Sequence, residues 1–426
     1  MSNKDFDKLL KNGAFCTAPW IHLHIVPDGR LFPCCGTDFG EGDIALPGYG
    51  NVKDGIKQAF NSSRMKQLRL EMMSGERPGE CYRCFEREDT GMADSMRGWF
   101  NKDFIDDVTK NLVENCTSDD GTVDQMNIKY LDIRFGNICN LKCRMCGLAL
   151  SSSWYDEEVE FKKLNGDEHP TQKFIHDDMY DELENYLPYV EQIYFAGGEP
   201  MLYPEHFKIL KKLIELDKTD VRLKYNTNLS TLNYKGESVV DLWNQFKYKV
   251  TVGASIDAKG KEIEFIRTGA KWKTLEKHLN LLSSTDNVVV WPSTTVGFLN
   301  IHVLPEFWDE AINKGWDNIP YQVNFIQHPN WMCLKNMPAW LRDETVIMIQ
   351  DYIETLKERK LDHHVKGFED IIRYIESSIT DEKTANEYIE FGKMMLNLYK
   401  QTANIHWEQS LPHLKFIFER HNEKIK

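Results

Sequence analysis

The sequence predicts an α/β chain with a parallel sheet, barrel-like or open, after a small cysteine-bearing segment and before a helical C-terminal part. Three observations carry this. Six short apolar runs alternate with helical stretches between residues 126 and 335. Seven of the ten cysteines fall in spaced sets. Residues 336–426 are predominantly of helical spacing.

Bulk properties bound the answer first. At 426 residues, 41% hydrophobic and with a mean hydropathy of -0.51, the chain is long enough for one large domain and a smaller one. No run approaches the length that spans a bilayer, and "MSNKDFDKLL" lacks the basic flank and apolar stretch of a secretory signal, so the expected compartment is the cytoplasm. Lys and Arg total 52 against 66 Asp and Glu, a formal charge of -14 that argues against a nucleic-acid partner. In a reducing compartment, ten cysteines point to ligands or catalysts rather than a disulfide framework.

Residues 1–125 are rich in Gly and Pro ("EGDIALPGYGN", "SGERPGE"), with one helix expected over "DGIKQAFNSSRMKQLRLEMM" and little core of their own. Cys16 and Cys34, then Cys81 and Cys84 in "CYRC", would staple such a segment. The polar stretch "CTSDDGTVDQ" reads as a linker. In residues 126–335 the strand-like runs are "KYLDIRF", "QIYFAGG", "RLKYNTN", "KVTVGASID", "NVVVWPSTTV" and "YQVNFIQ". In residues 336–426, "ETVIMIQDYIETLKERK" and "TANEYIEFGKMMLNLYKQ" are helical, their apolar faces read as packing surface. No internal repeat or low-complexity tract interrupts this order.

"CNLKCRMC" places Cys139, Cys143 and Cys146 directly after the first run, on the loop where parallel sheets carry their sites. Three thiolates suit a cubane cluster with one iron left open. Zinc with an added histidine is the alternative.

This C-x-x-x-C-x-x-C, after a first strand, resembles the radical S-adenosylmethionine (radical SAM) superfamily. The resemblance implies a partial (β/α)6 TIM-like barrel in which SAM completes the open iron of a 4Fe-4S cluster. Reductive cleavage then gives a 5'-deoxyadenosyl radical that abstracts hydrogen from an unactivated C-H bond. Gly197, Gly198, Glu199 and Pro200 of "FAGGEP" resemble the element that receives the SAM amino group. Ser255 and Asp257 of "GASID" resemble positions that contact the SAM ribose or carboxylate, and Arg267 of "EFIRTGAKWKTL" resembles the arginine that pairs with that carboxylate. Thr227 and Asn228 would also face the site. Met145 stands where the family often has an aromatic residue against adenine.

The spacing of Cys16, Cys34, Cys81 and Cys84 resembles the twitch domain, a shortened SPASM domain holding an auxiliary 4Fe-4S cluster. Spacing alone suits tetrahedral zinc equally well. The order departs from the family, because twitch and SPASM domains usually follow the barrel. Cys35 is read as a bystander, and His22 and His24 as a local face of a hairpin.

The resemblance implies hydrogen abstraction followed by net oxidation or cross-linking, with the auxiliary cluster accepting the electron. The substrate would be a peptide or a small amino-acid or sugar metabolite, and an external donor such as flavodoxin or ferredoxin would supply the reducing electron. No helix-and-wing leader-binding pattern is evident. The alternatives are a redox-neutral epimerase with Cys333 as hydrogen donor, and a non-catalytic two-cluster electron carrier.

Overall fold

The computed structural model describes residues 5–37, 48–89, 95–165, 172–174, 176, 179–377, 380–403 and 406–424. Seven strands form the main sheet: β1 (His22–Ile25), β2 (Leu31–Phe32), β3 (Tyr130–Ile133), β4 (Gln192–Phe195), β5 (Arg222–Thr227), β6 (Val250–Ala254) and β7 (Val288–Pro292). Their order is β7-β6-β5-β4-β3-β1-β2, so five of the six predicted runs lie in one α/β sheet. The chain divides into two compact units. The first holds Met1–Cys139, Tyr155–Lys224 and Tyr234–Lys249; the second holds Asn140–Trp154, Tyr225–Asn233 and Val250–Lys426.

In the first unit β3 pairs in parallel with β4 on one side and β1 on the other. Strands covered on both faces read as near-continuous apolar runs, and β1 and β3 are buried throughout. The β1–β2 hairpin exists, turned at Gly29 with φ +83°, where the Gly29 N–H donates to Val26 O at 2.8 Å. Its histidines nevertheless lie within the main sheet as well, since His22 and His24 stand opposite Tyr130 and Asp132.

The N-terminal segment has a core after all. Phe6, Phe15, Trp20, Phe32, Phe60, Phe100 and Phe104 are buried in it. Arg69, also buried, donates to the carbonyls of Pro19, Phe60 and Gly121 and so pins three loops together. The single expected helix is two, Ile56–Phe60 and α1 (Ser63–Ser74), because the Ser62 hydroxyl accepts the Met65 N–H at 3.3 Å as an N-cap. The linker closes on itself through Ser118 N–H to Thr122 O at 2.7 Å. Helices α2 (Tyr82–Asp89) and α3 (Met96–Asp103) follow.

In the second unit β6 and β7 pair in parallel from Val250–Val288 to Ala254–Pro292. The sixth predicted run shrinks to Asn324–Phe325, paired with Thr295–Val296 outside the main sheet. Pro292 has no N–H to continue the β7 ladder, so the chain leaves it there. Four long helices follow, α4 (Ala339–Glu358), α5 (Asp362–Glu376), α6 (Glu382–Ala403) and α7 (Pro412–Lys424), as their spacing predicts. Among the described residues no helix is long and apolar enough to cross a membrane.

Candidate functional site

Two glycines shape the candidate turn of the first unit. Gly197, at φ +98°, and Gly198 end β4 and fold against the peptide that leads from β3 to Cys139. The Gly198 N–H donates to Gly136 O at 3.2 Å and the Glu199 N–H to Ile138 O at 2.8 Å. A Cβ on Gly198 would lie 2.3 Å from Ile138 O, so only glycine permits this approach. The Ile138 N–H donates to the Tyr203 hydroxyl at 2.6 Å, anchoring the same peptide from the far side. Glu199 and Pro200 are buried, and one Glu199 oxygen accepts the Met201 N–H at 3.2 Å.

The second unit holds Cys143 and Cys146, and their loop is set by backbone pairing. Arg267 and Thr268 pair with Cys143 and Lys142, and the Cys146 N–H donates to Cys143 O at 3.0 Å. Arg267 bridges a thiol and a carboxylate. Its Nε and Nη2 donate to Asp257 Oδ2 and Oδ1 at 2.7 and 3.1 Å, while Nη1 stands 3.7 Å from Cys143 Sγ, the atom that as a thiolate would ligate iron. Asp257 Oδ1 also accepts the Thr295 N–H at 2.9 Å, so this carboxylate is fully engaged and buried. Burial raises the Cys143 thiol above its ordinary range, and Arg267 pulls the other way. Met145 and Ser255 are part-exposed, and the Ser255 N–H donates to Thr227 O at 2.8 Å. Asn228 donates to Asn140 Oδ1 at 2.9 Å, one residue after Cys139.

Four thiols gather separately in the first unit. Cys16, Cys34, Cys81 and Cys84 line one cavity, closed by apolar groups such as Leu68, Met72 and Phe100. Cys16 precedes β1, Cys34 follows β2, and Cys81 and Cys84 flank the start of α2, so all four are fixed by short elements. Burial and neighbouring thiols raise Cys16 and Cys81, and burial with Cys84 pushes Cys34 up to about 11. Thiols that oppose one another's ionisation are the donor set a bound cation relieves. The same cavity admits Arg97, whose Nη1 donates to Phe15 O at 3.0 Å and whose other nitrogens bind Glu88.

Residues 133–310 match the radical SAM superfamily, and residues 16–85 match the SPASM iron-sulfur cluster-binding domain. The chain carries a radical SAM domain. Its iron-sulfur cluster-binding domain precedes the radical SAM domain, as the cysteine order predicts. The cofactors that follow are SAM with its 4Fe-4S cluster, and an auxiliary iron-sulfur cluster. No curated protein matches the chain. Among solved structures, SuiB of Streptococcus suis bound to S-adenosylmethionine aligns at TM-score 0.35 and 14% identity, over 70% of this chain and 63% of that one. A second SuiB structure aligns at 0.35 and 15%, over 69% and 63%. TYW1 with a lysine-pyruvate adduct bound aligns at 0.32 and 15%, over 66% and 89%. The likeness is loose, and the chain spans less than two thirds of the SuiB length.

Both donor sets are cysteine thiols, the ligand type that iron-sulfur clusters take. His22 and His24 are engaged elsewhere, His22 Nδ1 with Tyr130 O at 2.8 Å and His24 Nδ1 with Asp132 Oδ2 at 2.9 Å. Cys333 is buried, and its thiol donates to Gln327 O at 2.9 Å. Asp317, His363 and His364 also converge. Both His364 nitrogens are spent, however: Nδ1 accepts the Tyr321 N–H at 3.1 Å and Nε2 meets Asp317 Oδ2 at 3.0 Å. That trio is a packing device.

Proposed function

We propose that this protein is a radical SAM enzyme that abstracts hydrogen from a substrate C-H bond and completes a net oxidation or cross-link, passing the second electron to its auxiliary cluster. The observation that supports it is the cavity lined by Cys16, Cys34, Cys81 and Cys84. Four thiolates leave a cubane no open iron, which fits electron transfer rather than substrate activation. When bound to the open iron beside Cys139, Cys143 and Cys146, SAM supplies the 5'-deoxyadenosyl radical.

The chain's own residues have defined tasks in this reading. Gly197 and Gly198 bring backbone close enough for the SAM ammonium, and Glu199 offers the complementary charge. Arg267 faces Cys143 and presents positive charge to the SAM carboxylate, with Asp257 orienting it. Ser255 is the remaining polar contact and Met145 the packing surface for adenine. Oxidation balances as loss of one hydrogen atom to the deoxyadenosyl group, then loss of one proton and one electron from the substrate. Flavodoxin or ferredoxin supplies the electron that cleaves SAM, and the substrate is a peptide or small amino-acid or sugar metabolite.

The test is turnover in deuterium oxide with the product carbon examined by mass spectrometry. Net oxidation predicts no solvent deuterium at the reacting carbon. Inverted, deuterium-labelled product would instead establish epimerisation, and a protein that never forms 5'-deoxyadenosine would be an electron carrier. The engaged, buried thiol of Cys333 disfavours epimerisation through that residue.

A further inference from the structure

Arg134 follows β3, and its stem packs on the turn that precedes Glu199. A Cβ on Gly197 would stand 2.7 Å from Arg134 Cβ. The guanidinium is aimed by two contacts: Nη1 donates to Asp132 Oδ1, and its carbon lies 5.7 Å from the centroid of the Tyr194 ring. Asp132 is fixed in turn, with Oδ2 2.9 Å from His24 Nδ1. The register of β1, β3 and β4 sets His24, Asp132 and Tyr194 side by side on one sheet face.

Exposure grades across this cluster. The Asp132 side chain is 0% exposed and that of His24 2%, while that of Arg134 is 17%. The cation is therefore the more exposed member of the ion pair. Charge interactions also run from Arg134 and Asp132 to Cys35, the residue after the auxiliary ligand Cys34. Within the first unit, Arg134 thus adjoins both the glycine turn and the auxiliary-cluster loop. None of the established roles uses it.

A guanidinium is a rigid fork of five donors, and among the described residues the hydrogen bond of this one goes to Asp132. The donors left in the fork match a carboxylate in its own plane. Asp132 already supplies one negative charge to the pair, so a monoanion suits the site and a dianion would be repelled.

We infer that Arg134, aimed by Asp132 and Tyr194, anchors a carboxylate of the substrate beside the SAM-binding turn. This rests on the radical SAM reading proposed above and adds the substrate class. The carboxylate belongs either to a free amino acid or to a peptide chain end.

The test is saturation-transfer NMR on the reconstituted holoprotein with SAM, comparing N-acetylglycine, N-acetylglycinamide, glycine and inorganic phosphate as probes. The acid should bind measurably and the amide at least about tenfold more weakly. Arg134→Gln should remove that preference, and Arg134→Lys, which keeps the charge without the fork, should restore part of it. Glycine binding ahead of N-acetylglycine identifies a free amino acid, and the reverse order a chain end. Equal binding of acid and amide overturns the inference, as does phosphate binding ahead of both carboxylates. So does an unchanged acid preference in an Arg134→Gln protein of normal iron content. Should that variant not load iron, the acid-amide comparison on the unaltered protein decides. Absence of 5'-deoxyadenosine formation would sink the radical reading instead, leaving the acid-amide comparison to stand.

Discussion

Arg267 lies between Asp257 and Cys143, with Nε 2.7 Å from the carboxylate and Nη1 3.7 Å from the sulfur. The arginine is thereby fixed against the thiol that would ligate iron, and its orientation depends on Asp257. Removing either partner changes where the positive charge points.

Asp257→Asn should therefore lower 5'-deoxyadenosine formation by roughly 10- to 100-fold, the range for a lost outer-shell partner, while iron content stays near normal. Arg267→Ala should lower it at least as far. Retained rates in both variants, measured by chromatography of the nucleoside, would remove this pair from SAM handling.

Gly198→Ala places a methyl 2.3 Å from Ile138 O, a backbone atom that cannot swing aside. The variant should lose about 1–3 kcal/mol of stability by overpacking and bind SAM more weakly. Urea midpoints and equilibrium SAM binding check the two effects separately.

Arg97 lies beside Cys16 and Cys84 and is paired with Glu88 on its other side. A positive charge next to a cluster favours the reduced state. Arg97→Gln should move the auxiliary midpoint potential negative by on the order of tens of millivolts, and Arg97→Lys should move it less. Redox titration followed by electron paramagnetic resonance, in a protein lacking Cys139, Cys143 and Cys146, isolates that cluster.

Acid should unfold the protein through its buried histidines. Burial lowers His22, His302 and His413 to about 4 and His206 to about 3. In the unfolded chain these groups titrate near ~6.5, so between that pH and ~4 the unfolded state binds more protons. The stability held by their neutral forms is present above ~6.5 and declines as pH falls through this window. Urea midpoints should drop steeply from pH 6.5 to 4.5, and a flat profile would contradict the neutral assignment.

What the sequence made legible was what periodicity and spacing encode. The apolar runs that became β3 to β7, the cysteine sets and the "GGEP" turn needed no tertiary information. The sixth run was overread because its pairing depends on Pro292 and Thr295–Val296, which periodicity does not register. The break at Ser62 was hidden in a helical pattern, although a serine ahead of a helix is a capping signal. The N-terminal core was missed because its aromatic residues are scattered through the chain and meet only on folding. Arg134 was passed over inside "KYLDIRF". Its signal was present, since Asp132 inside the buried strand and Arg134 just after it put opposite charges two residues apart.

On the function proposed above, the protein holds two iron-sulfur clusters, the reactive one bound through Cys139, Cys143 and Cys146. Iron and acid-labile sulfide per chain, measured after anaerobic reconstitution beside the variant with those three cysteines changed to alanine, test it most directly. About eight irons should fall to about four, with 5'-deoxyadenosine formation lost in the variant. About four irons falling to none, with zinc retained, would contradict it and make the Cys16, Cys34, Cys81 and Cys84 site structural.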